Sequence, residues 1–378
     1  MVVKRSNGEG SVYRVGSGKW RACLTMPNGK RRYFTADTKT EAFRRLQTAR
    51  STLEAGMDPG APKQSVSAYL RTWLADDKGQ TVRATTWEHY ELQVRRAEPY
   101  IGAYPLNQLT ASHIQHCYAE LGRNGLSARS IEMVHAVLRM ALRQAVKRGL
   151  IVRSPVELAS PPRPQRGEIQ TLDADQVHRL FESTSGMRLH ALWVLLLTTG
   201  LRVGEACALR WTDVDLESGA VHVRRTIHRQ RGQGLVLGQP KTSRSRRTVL
   251  LPRGTITALH EHQAYQGRER LVAGSLYQDG DLVFCTATGT PLEASTIGKM
   301  LHRHLRAAGL PQLRVHDLRH TAATYLLSLG THPNIVQNML GHSTITLTLN
   351  TYSHVTPALH VEATRHMERL FEPPRSKK

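Results

Sequence analysis

The segment Leu197-Thr-Thr-Gly-Leu-Arg-Val-Gly-Glu-Ala-Cys-Ala-Leu-Arg-Trp-Thr-Asp213 decides how the second half of this 378-residue chain folds. Gly200 and Gly204 flank Arg202, which predicts a turn between two apolar helices. An arginine in such an apolar setting requires an anionic partner. That partner is either Glu205, in a structural ion pair, or a phosphate held by both arms of the guanidinium.

A second segment, Val315-His-Asp-Leu-Arg-His-Thr-Ala-Ala-Thr-Tyr-Leu-Leu-Ser-Leu-Gly330, predicts a helix with two different sides. His316, Arg319 and His320 fall on one side of its first turns. The predicted core face is apolar and consists of Leu318, Ala322, Tyr325 and Leu326.

A third segment runs from Asn338 to His354. His342 follows a predicted helix end at Gly341, and Tyr352 lies ten residues further on. Taken singly, a histidine or tyrosine of this kind is more often a structural residue than a catalytic one.

The net charge of +22 is spread along the whole chain. Residues 1–60 carry 12 basic and 5 acidic side chains, residues 61–168 carry 15 and 9, and residues 169–378 carry 25 and 16. Three basic segments in series favour a polyanion as the partner, and nucleic acid is favoured over an acidic membrane surface.

The composition argues against several classes of protein. The longest apolar run, residues 191–197, is far shorter than the ~20 residues of a membrane-spanning helix, and the N-terminal residues do not form a secretory signal. Four cysteines without a CxxC pair predict reduced, buried thiols in a cytoplasmic protein. His316 and His320 have the spacing of helical metal ligands, but no HExxH or Cys/His cluster completes a site, so we expect no metal.

Two stretches rich in Pro and Gly, residues 55–62 and 160–167, predict linkers. They divide the chain into three domains, at residues 1–57, 62–160 and 168–378.

The first segment is predicted to form a small sheet followed by a helix. Its β-prone runs cover residues 10–14, 19–25 and 31–35, and turn residues separate them. The helix over residues 40–54 places Phe43, Leu46 and Leu53 on one face, with Ala42 and Ala49 beside them. A basic and aromatic sheet of this kind can enter a DNA major groove, and the alternative is an accessory domain with a solvated sheet.

The middle segment is predicted to be helical over residues 65–75, 85–101, 110–122 and 127–148. Thr110 and Ser127 stand at N-cap positions, and Gly149 follows the last helix. A basic helical bundle suits DNA binding, although it equally suits a protein-interaction module.

The last segment is predicted to be mixed. It opens with a helix capped by Thr171 or Asp173, and a second helix surrounds residues 189–197. Short strands are predicted at residues 220–227, 235–237 and 247–251, and the pattern is helical after Gly289.

Together, the order Arg202, Lys241, His316-x-x-Arg319, Gly341-His342 and Tyr352 closely resembles the tyrosine recombinases, the lambda-integrase family. The resemblance implies a multidomain fold whose last segment is a mixed α+β, mainly helical catalytic domain. The middle segment looks like the family's all-α, SAM-like core-binding domain. The first segment looks like the AP2-like, arm-binding domain of the integrase subgroup.

The resemblance assigns a complete catalytic set: Arg202, Lys241, His316, Arg319, His342 and Tyr352, with Glu205 in support. The residue types suit the chemistry, because a phenol with a pKa of ~10 needs a base or a positive site before it can attack a phosphate. His316 is the expected proton acceptor, Lys241 the donor to the departing 5′ oxygen, and the remaining cations hold the phosphate oxygens.

The implied function is site-specific recombination by the integrase of a temperate phage or integrative element. DNA would be cleaved through a 3′-phosphotyrosyl link and exchanged through a Holliday junction, with no cofactor, metal or ATP. The expected partners are double-stranded core and arm attachment sites, three further copies in a homotetramer, and a directionality factor or host DNA-bending protein. The expected location is the cytoplasm, on the nucleoid.

Two alternatives remain open at this point. A type IB topoisomerase shares the chemistry but relaxes DNA without exchanging partners, and a DNA-binding regulator built from the same parts has no catalysis. Locally, residues 344–351 alternate like a strand, whereas the resemblance implies a helix around Tyr352.

Overall fold

The computed structural model describes residues 10–16, 18–27, 29–54, 59, 64–165, 170–239 and 245–341. The chain groups into two compact units, residues 1–166 and residues 167–378. Among the described helices, none has the length and the apolar composition that a membrane crossing requires.

The first unit begins with a three-stranded antiparallel sheet in the order β1-β2-β3. Its elements are β1 (Ser11–Arg14), β2 (Trp20–Thr25), β3 (Arg31–Ala36) and the following helix α1 (Lys39–Glu54). The predicted sheet and helix are therefore confirmed.

Helix α1 packs on one face of this sheet through Ala42, Leu46 and Ala49. Phe43 is 46% exposed, so its predicted place on the buried face is wrong. The two small alanines bring the helix close to the sheet, and they turn Phe43 outward because it lies about 100° around the helix from Ala42.

The remaining part of the first unit is helical, as predicted. Its elements are α2 (Val66–Thr72), a π-helical turn (Trp73–Lys78), α3 (Ala84–Ile101), α4 (Ala111–Arg123) and α5 (Ala128–Lys147). Thr110 and Ser127 cap α4 and α5 by accepting hydrogen bonds from the backbone N–H groups of His113 and Ser130. A hydrophobic core separate from that of the sheet holds these helices together.

The second unit contains helices and short strands. The helices are α6 (Ala174–Thr184), α7 (His190–Thr199), α8 (Val203–Cys207), α9 (Arg253–Ala273), α10 (Ala294–Ala307), α11 (Val315–Ser328) and α12 (Pro333–Leu340). The strands are β4 (Val214–Asp215), β5 (Ala220–Val223), β6 (Thr226–Gln230), β7 (Gly234–Gly238) and β8 (Arg247–Leu250). One sheet has the order β4-β5-β8, and β6 pairs with β7.

Helix α7 lies at the centre of this unit. Eight of its ten residues are buried, and Leu192, Trp193 and Leu195 are completely inaccessible. Asp173, rather than Thr171, caps α6, because its carboxylate accepts the backbone N–H of Gln176 at 2.8 Å.

The single strand predicted over residues 220–227 is wrong, because β5 and β6 belong to different sheets. The chain changes direction at Arg224 and Arg225, whose guanidinium groups bind the buried carboxylate of Asp213 at 3.1 and 2.5 Å. A buried carboxylate is stable only when cations or hydrogen bonds satisfy it, so this pairing fixes the break between the strands.

The sequence pattern does not predict helix α9. Its buried face includes the polar residues Thr255, His262 and Gln266, which interrupt the apolar repeat that marks a helix. The four cysteines are buried and free of disulfides, as predicted.

Gly204 shows how closely α8 approaches β6. A Cβ at this position would lie 2.7 Å from the carbonyl oxygen of Ile227 and 2.8 Å from Oγ1 of Thr226. These distances are shorter than van der Waals contact, and the carbonyl cannot move without displacing its strand.

Gly204→Ala should therefore destabilise the chain by about 1–3 kcal/mol, although alanine is the better helix former. Gly254→Ala is the matched control, since a Cβ on that helical glycine meets no atom within 4 Å. The control should stabilise the chain by about 0.5–1 kcal/mol. Urea unfolding of the two variants measures both effects, and equal stabilisation of the two would contradict the close approach.

Candidate functional site

The turn between α7 and α8 presents Arg202. Helix α7 is followed by its C-cap residue Gly200, whose φ of +62° is left-handed, and Arg202 is the N-cap residue of α8. A Cβ at Gly200 would lie 2.3 Å from Cδ2 of Leu340. The predicted turn is confirmed, and its first glycine is required by backbone conformation and by close contact with α12.

Glu205 is the anionic partner that Arg202 requires. Its carboxylate accepts the backbone N–H of Arg202 at 3.0 Å and Nη1 of Arg202 at 2.8 Å. It also accepts Nη2 of Arg247 at 3.0 Å. The Arg202 side chain remains 38% exposed, so it can also reach a ligand.

The Glu205 carboxylate stays ionised although its side chain is only 3% exposed. Burial by itself would raise its pKa, but Arg247 and Arg202 outweigh burial and lower the pKa below its ordinary value. The group is therefore a permanent anion between two cations.

Arg319 lies on α11 and is 2% exposed. Its Nη1 donates to the carbonyl oxygen of Gly200 at 2.7 Å. This bond connects α11 to the turn that carries Arg202. Leu318 and Ala322 are buried as predicted, but the predicted place of Tyr325 in the core face is wrong, because its side chain is 49% exposed and Thr321 is buried instead.

His316 and His320 lie one turn apart at the start of α11. Their rings are perpendicular, with centroids 4.9 Å apart. Burial and the nearby Arg319 lower the pKa of His316, and burial and His316 lower that of His320 to about 4. Both imidazoles are therefore neutral at neutral pH and can accept a proton.

The end of α12 completes the described part of the site. The helix ends at Gly341 with a φ of +67°, which confirms the predicted helix end. Arg202 Nη2 donates to the Gly341 carbonyl at 3.4 Å, and Arg247 Nε donates to the Met339 carbonyl at 2.6 Å. Two arginines thus bind the negative end of α12, which a helix dipole favours.

Three of the predicted site residues, Lys241, His342 and Tyr352, lie outside the described residues. The same holds for residues 344–351, for which the sequence pattern and the family resemblance disagree. Lys241 falls between β7, which pairs with β6, and β8, which pairs with β5. The structure brings together Arg202, Glu205, His316 and Arg319.

Arg247 is the site residue that sequence reasoning missed. In the sequence it is one of several basic residues close to Lys241, and only the tertiary structure places it against Glu205. The available signal was weak: an arginine on a short strand with buried Val249 two residues away.

A cavity of about 600 Å³ lies beside β5 and β8. Its basic lining residues are His222, Arg224, Arg225, Arg246 and Arg247. A concave, cationic surface of this kind suits a phosphate backbone. No group of three or more His, Cys, Asp or Glu side chains that could hold a metal ion occurs among the residues described.

Comparisons with known proteins identify the relatives of this chain. The Phage integrase family matches residues 170–358, and the SAM-like N-terminal domain of phage integrases matches residues 65–122. A XerC-like tyrosine recombinase of Caldanaerobacter subterraneus is 30% identical over 98% of this chain and 100% of its own length. An integrase of Streptomyces ambofaciens is 28% identical over 96% of this chain and 97% of its own length.

Solved structures show a similar fold. The Tn1549 transposon integrase in complex with transposon right end DNA has a TM-score of 0.71 and 25% identity, covering 82% of this chain and 100% of that one. A lambda integrase tetramer bound to a Holliday junction has a TM-score of 0.57 and 18% identity, covering 92% and 96%. The likeness to the second structure concerns the fold alone.

The stability of the chain should depend on His320 at mildly acidic pH. Its folded pKa of about 4 lies below the ~6.5 of an unfolded histidine, so the unfolded chain binds a proton that the folded chain does not. The contribution of neutral His320 to the free energy of unfolding is therefore fully present above about pH 6.5 and is lost as the pH falls toward 4.

His320→Asn should therefore lose less stability than the wild type between about pH 7 and about pH 5, as measured by urea midpoints. The same substitution at His260, which is exposed on α9, is the control. His260→Asn should lose as much stability as the wild type over this pH range. Equal losses in all three proteins would contradict the assignment.

Proposed function

Because this chain belongs to the phage integrase family of tyrosine recombinases, which cleave and rejoin DNA strands, we propose that it is a site-specific integrase acting through a 3′-phosphotyrosyl link to Tyr352. The observation that carries the proposal is the convergence of Arg202, His316 and Arg319 beside the end of α12, one residue before His342.

The two arginines hold the scissile phosphate. Arg202 is fixed at one end by Glu205 and is partly exposed, so its guanidinium can bind non-bridging oxygens in a defined orientation. Arg319 adds a second guanidinium from α11. Fixed cations stabilise the charge that develops on the phosphate without having to reorganise.

His316 accepts the proton of Tyr352. A phenol with an ordinary pKa of ~10 is protonated at neutral pH, so it needs a neutral base nearby. The lowered pKa of His316 keeps its imidazole in that form. His342 donates a further hydrogen bond to the phosphate, and Lys241 protonates the departing 5′ oxygen.

This set of residues supplies the positive charge that a metal ion supplies in many nucleases. We therefore infer that strand cleavage requires no metal and no other cofactor. The phosphotyrosyl link keeps the energy of the phosphodiester, so attack by the 5′ hydroxyl of another strand rejoins DNA without ATP.

The substrate is double-stranded DNA. The net charge of +22 and the arginine-lined cavity beside β8 support binding to a phosphate backbone. The Tn1549 integrase was solved on transposon end DNA, and the lambda integrase as a tetramer on a Holliday junction. We propose that this chain likewise binds core sites and exchanges strands as a homotetramer through a Holliday junction.

We propose that residues 1–57 bind a second, arm-type DNA sequence. On the sheet face opposite α1, Tyr13 pairs with Arg21, and the Arg21 guanidinium lies 5.7 Å from the ring centroid of Tyr33. Both tyrosines are substantially exposed. The helical residues 62–160 bind the core site, and residues 168–378 carry the catalysis.

The reaction belongs in the bacterial cytoplasm, on the nucleoid, where the element and host DNA meet. A directionality factor or a host DNA-bending protein then sets the balance between integration and excision.

A nicked suicide substrate should trap the protein on DNA through Tyr352. The nick releases the short 5′ product, so the covalent intermediate cannot reverse. Tyr352→Phe should bind the same DNA and form no adduct, as judged by denaturing gel electrophoresis. A normal adduct yield from the variant would move the nucleophile to another residue, such as the exposed Tyr325.

Removal of Lys241 should matter only when the leaving group needs a proton. The normal leaving group is an alkoxide, and by analogy with water the pKa of its conjugate alcohol is ~15–16. A 5′-bridging sulfur leaves as a thiolate, and by analogy with cysteine the pKa of its conjugate thiol is ~8.5. Lys241→Ala should therefore cleave the oxygen substrate poorly and the sulfur substrate almost as well as the wild type.

Arg202→Ala is the control for this experiment, because its proposed contacts are to non-bridging oxygens that the sulfur leaves untouched. Sulfur should rescue it far less. Equal losses of Lys241→Ala on both substrates, in single-turnover cleavage, would make Lys241 a phosphate contact rather than the general acid.

A further inference from the structure

Arg247 is buried in a basic region, and its side chain is only 7% exposed. All three guanidinium nitrogens donate hydrogen bonds. Nη2 donates to Glu205 at 3.0 Å, Nε to the Met339 carbonyl at 2.6 Å and Nη1 to the Ser245 carbonyl at 3.1 Å. Its donors therefore face protein groups.

The neighbouring Arg246 differs. It is exposed, and Nη2 donates to the side chain of Gln239 at 2.7 Å. Arg246 immediately precedes β8, and its side chain turns toward solvent while that of Arg247 turns toward Glu205. The pair thus offers a matched comparison between an exposed arginine and a buried one.

We propose that Arg247 is a positioning residue for strand cleavage, which joins β8 to Glu205 and to the end of α12 and thereby sets the orientation of Arg202. The inference rests on the proposed recombinase function.

The carboxylate of Glu205 transmits this effect. One oxygen binds Nη1 of Arg202, and the other binds both the Arg202 backbone N–H and Nη2 of Arg247. Glu205 is almost completely buried, so it depends on these cations. Loss of Arg247 removes one of the two charges that face the carboxylate and frees it to rotate.

Arg247 also has a second effect, on the end of α12. Arg247 holds the Met339 carbonyl while Arg202 holds the Gly341 carbonyl, two residues further along. His342 follows directly. Arg247 therefore also fixes the last described backbone of α12, which immediately precedes His342 in the sequence.

Only an arginine can bind the Glu205 carboxylate and the Met339 carbonyl in this way. Its planar fork presents separate N–H groups to Glu205 and to Met339 at the same time, whereas a lysine ammonium is a single point charge. Arg247→Lys keeps the charge and removes this geometry, which makes it the sharpest substitution.

The first experiment measures core-site affinity, its salt dependence and single-turnover cleavage of the suicide substrate at saturating protein. Arg247→Lys should cleave about 10- to 100-fold more slowly, as expected when a reacting group is misplaced. Its affinity and salt slope should match those of the wild type. A lower affinity of Arg247→Lys with a normal cleavage rate at saturation would make Arg247 a phosphate contact and overturn the proposal. In Arg247→Gln, which removes the charge, a phosphate contact would in addition reduce the salt slope by about one.

The second experiment measures the pH dependence of cleavage. Arg247 helps to lower the pKa of Glu205, and among the residues that the structure describes Arg202 is the other charged group that lowers it. In Arg247→Gln the Glu205 pKa rises, so cleavage should fall further than in the wild type as the pH is lowered, beyond the loss that protonation of His316 causes in both proteins. Arg246→Gln should keep the wild-type midpoint and instead reduce the salt slope of binding.

A purely structural role would lower the cleavage rate of Arg247→Gln equally at every pH, and that result would overturn the proposal. DNA binding by each variant verifies its folding. If Arg247→Gln does not fold, the cleavage rate of Arg247→Lys in the first experiment tests the proposal by itself. Failure of the wild type to form any adduct would instead refute the recombinase function, so the two failures are distinguishable.

Discussion

The buried carboxylate of Glu205 is the group on which the described part of the site depends. It binds Arg202 on the turn after α7 and Arg247 on β8. A buried ion pair is costly to break, because the remaining charge is left without a partner. Here two cations share one anion, so the cluster keeps a net positive charge. The same ionic contacts that hold the fold together here also fix the arginine for which we propose phosphate binding.

The arginines of the site also bind backbone carbonyls at helix ends. Arg319 binds the Gly200 carbonyl at the end of α7, and Arg202 and Arg247 bind carbonyls at the end of α12. The last carbonyls of a helix lack partners within the helix, so a guanidinium satisfies them and also benefits from the dipole. Segments far apart in sequence are thereby held together by groups that carry positive charge.

Close packing makes this arrangement rigid. Helix α7 is buried nearly all around, and α11 and α12 share a small apolar cluster that includes Leu327 and Leu340. Gly200 and Gly204 permit approaches to Leu340 and to the backbone of β6 that a Cβ would prevent. An arginine on such a support keeps its orientation with little loss of side-chain entropy on binding.

The sequence by itself determined the sheet and helices of the first unit, the caps at Thr110 and Ser127 and the turn at Arg202, because these depend on local periodicity and spacing. The recombinase motif was found through its resemblance to a known family. The sequence did not determine α9, whose buried face is partly polar, or the break between β5 and β6, which depends on an ion pair with Asp213. The role of Arg247 was also hidden, since a basic run gives no sign of which member turns inward. Only the tertiary structure decided these points, because a buried polar group is identified by partners that lie distant in the chain.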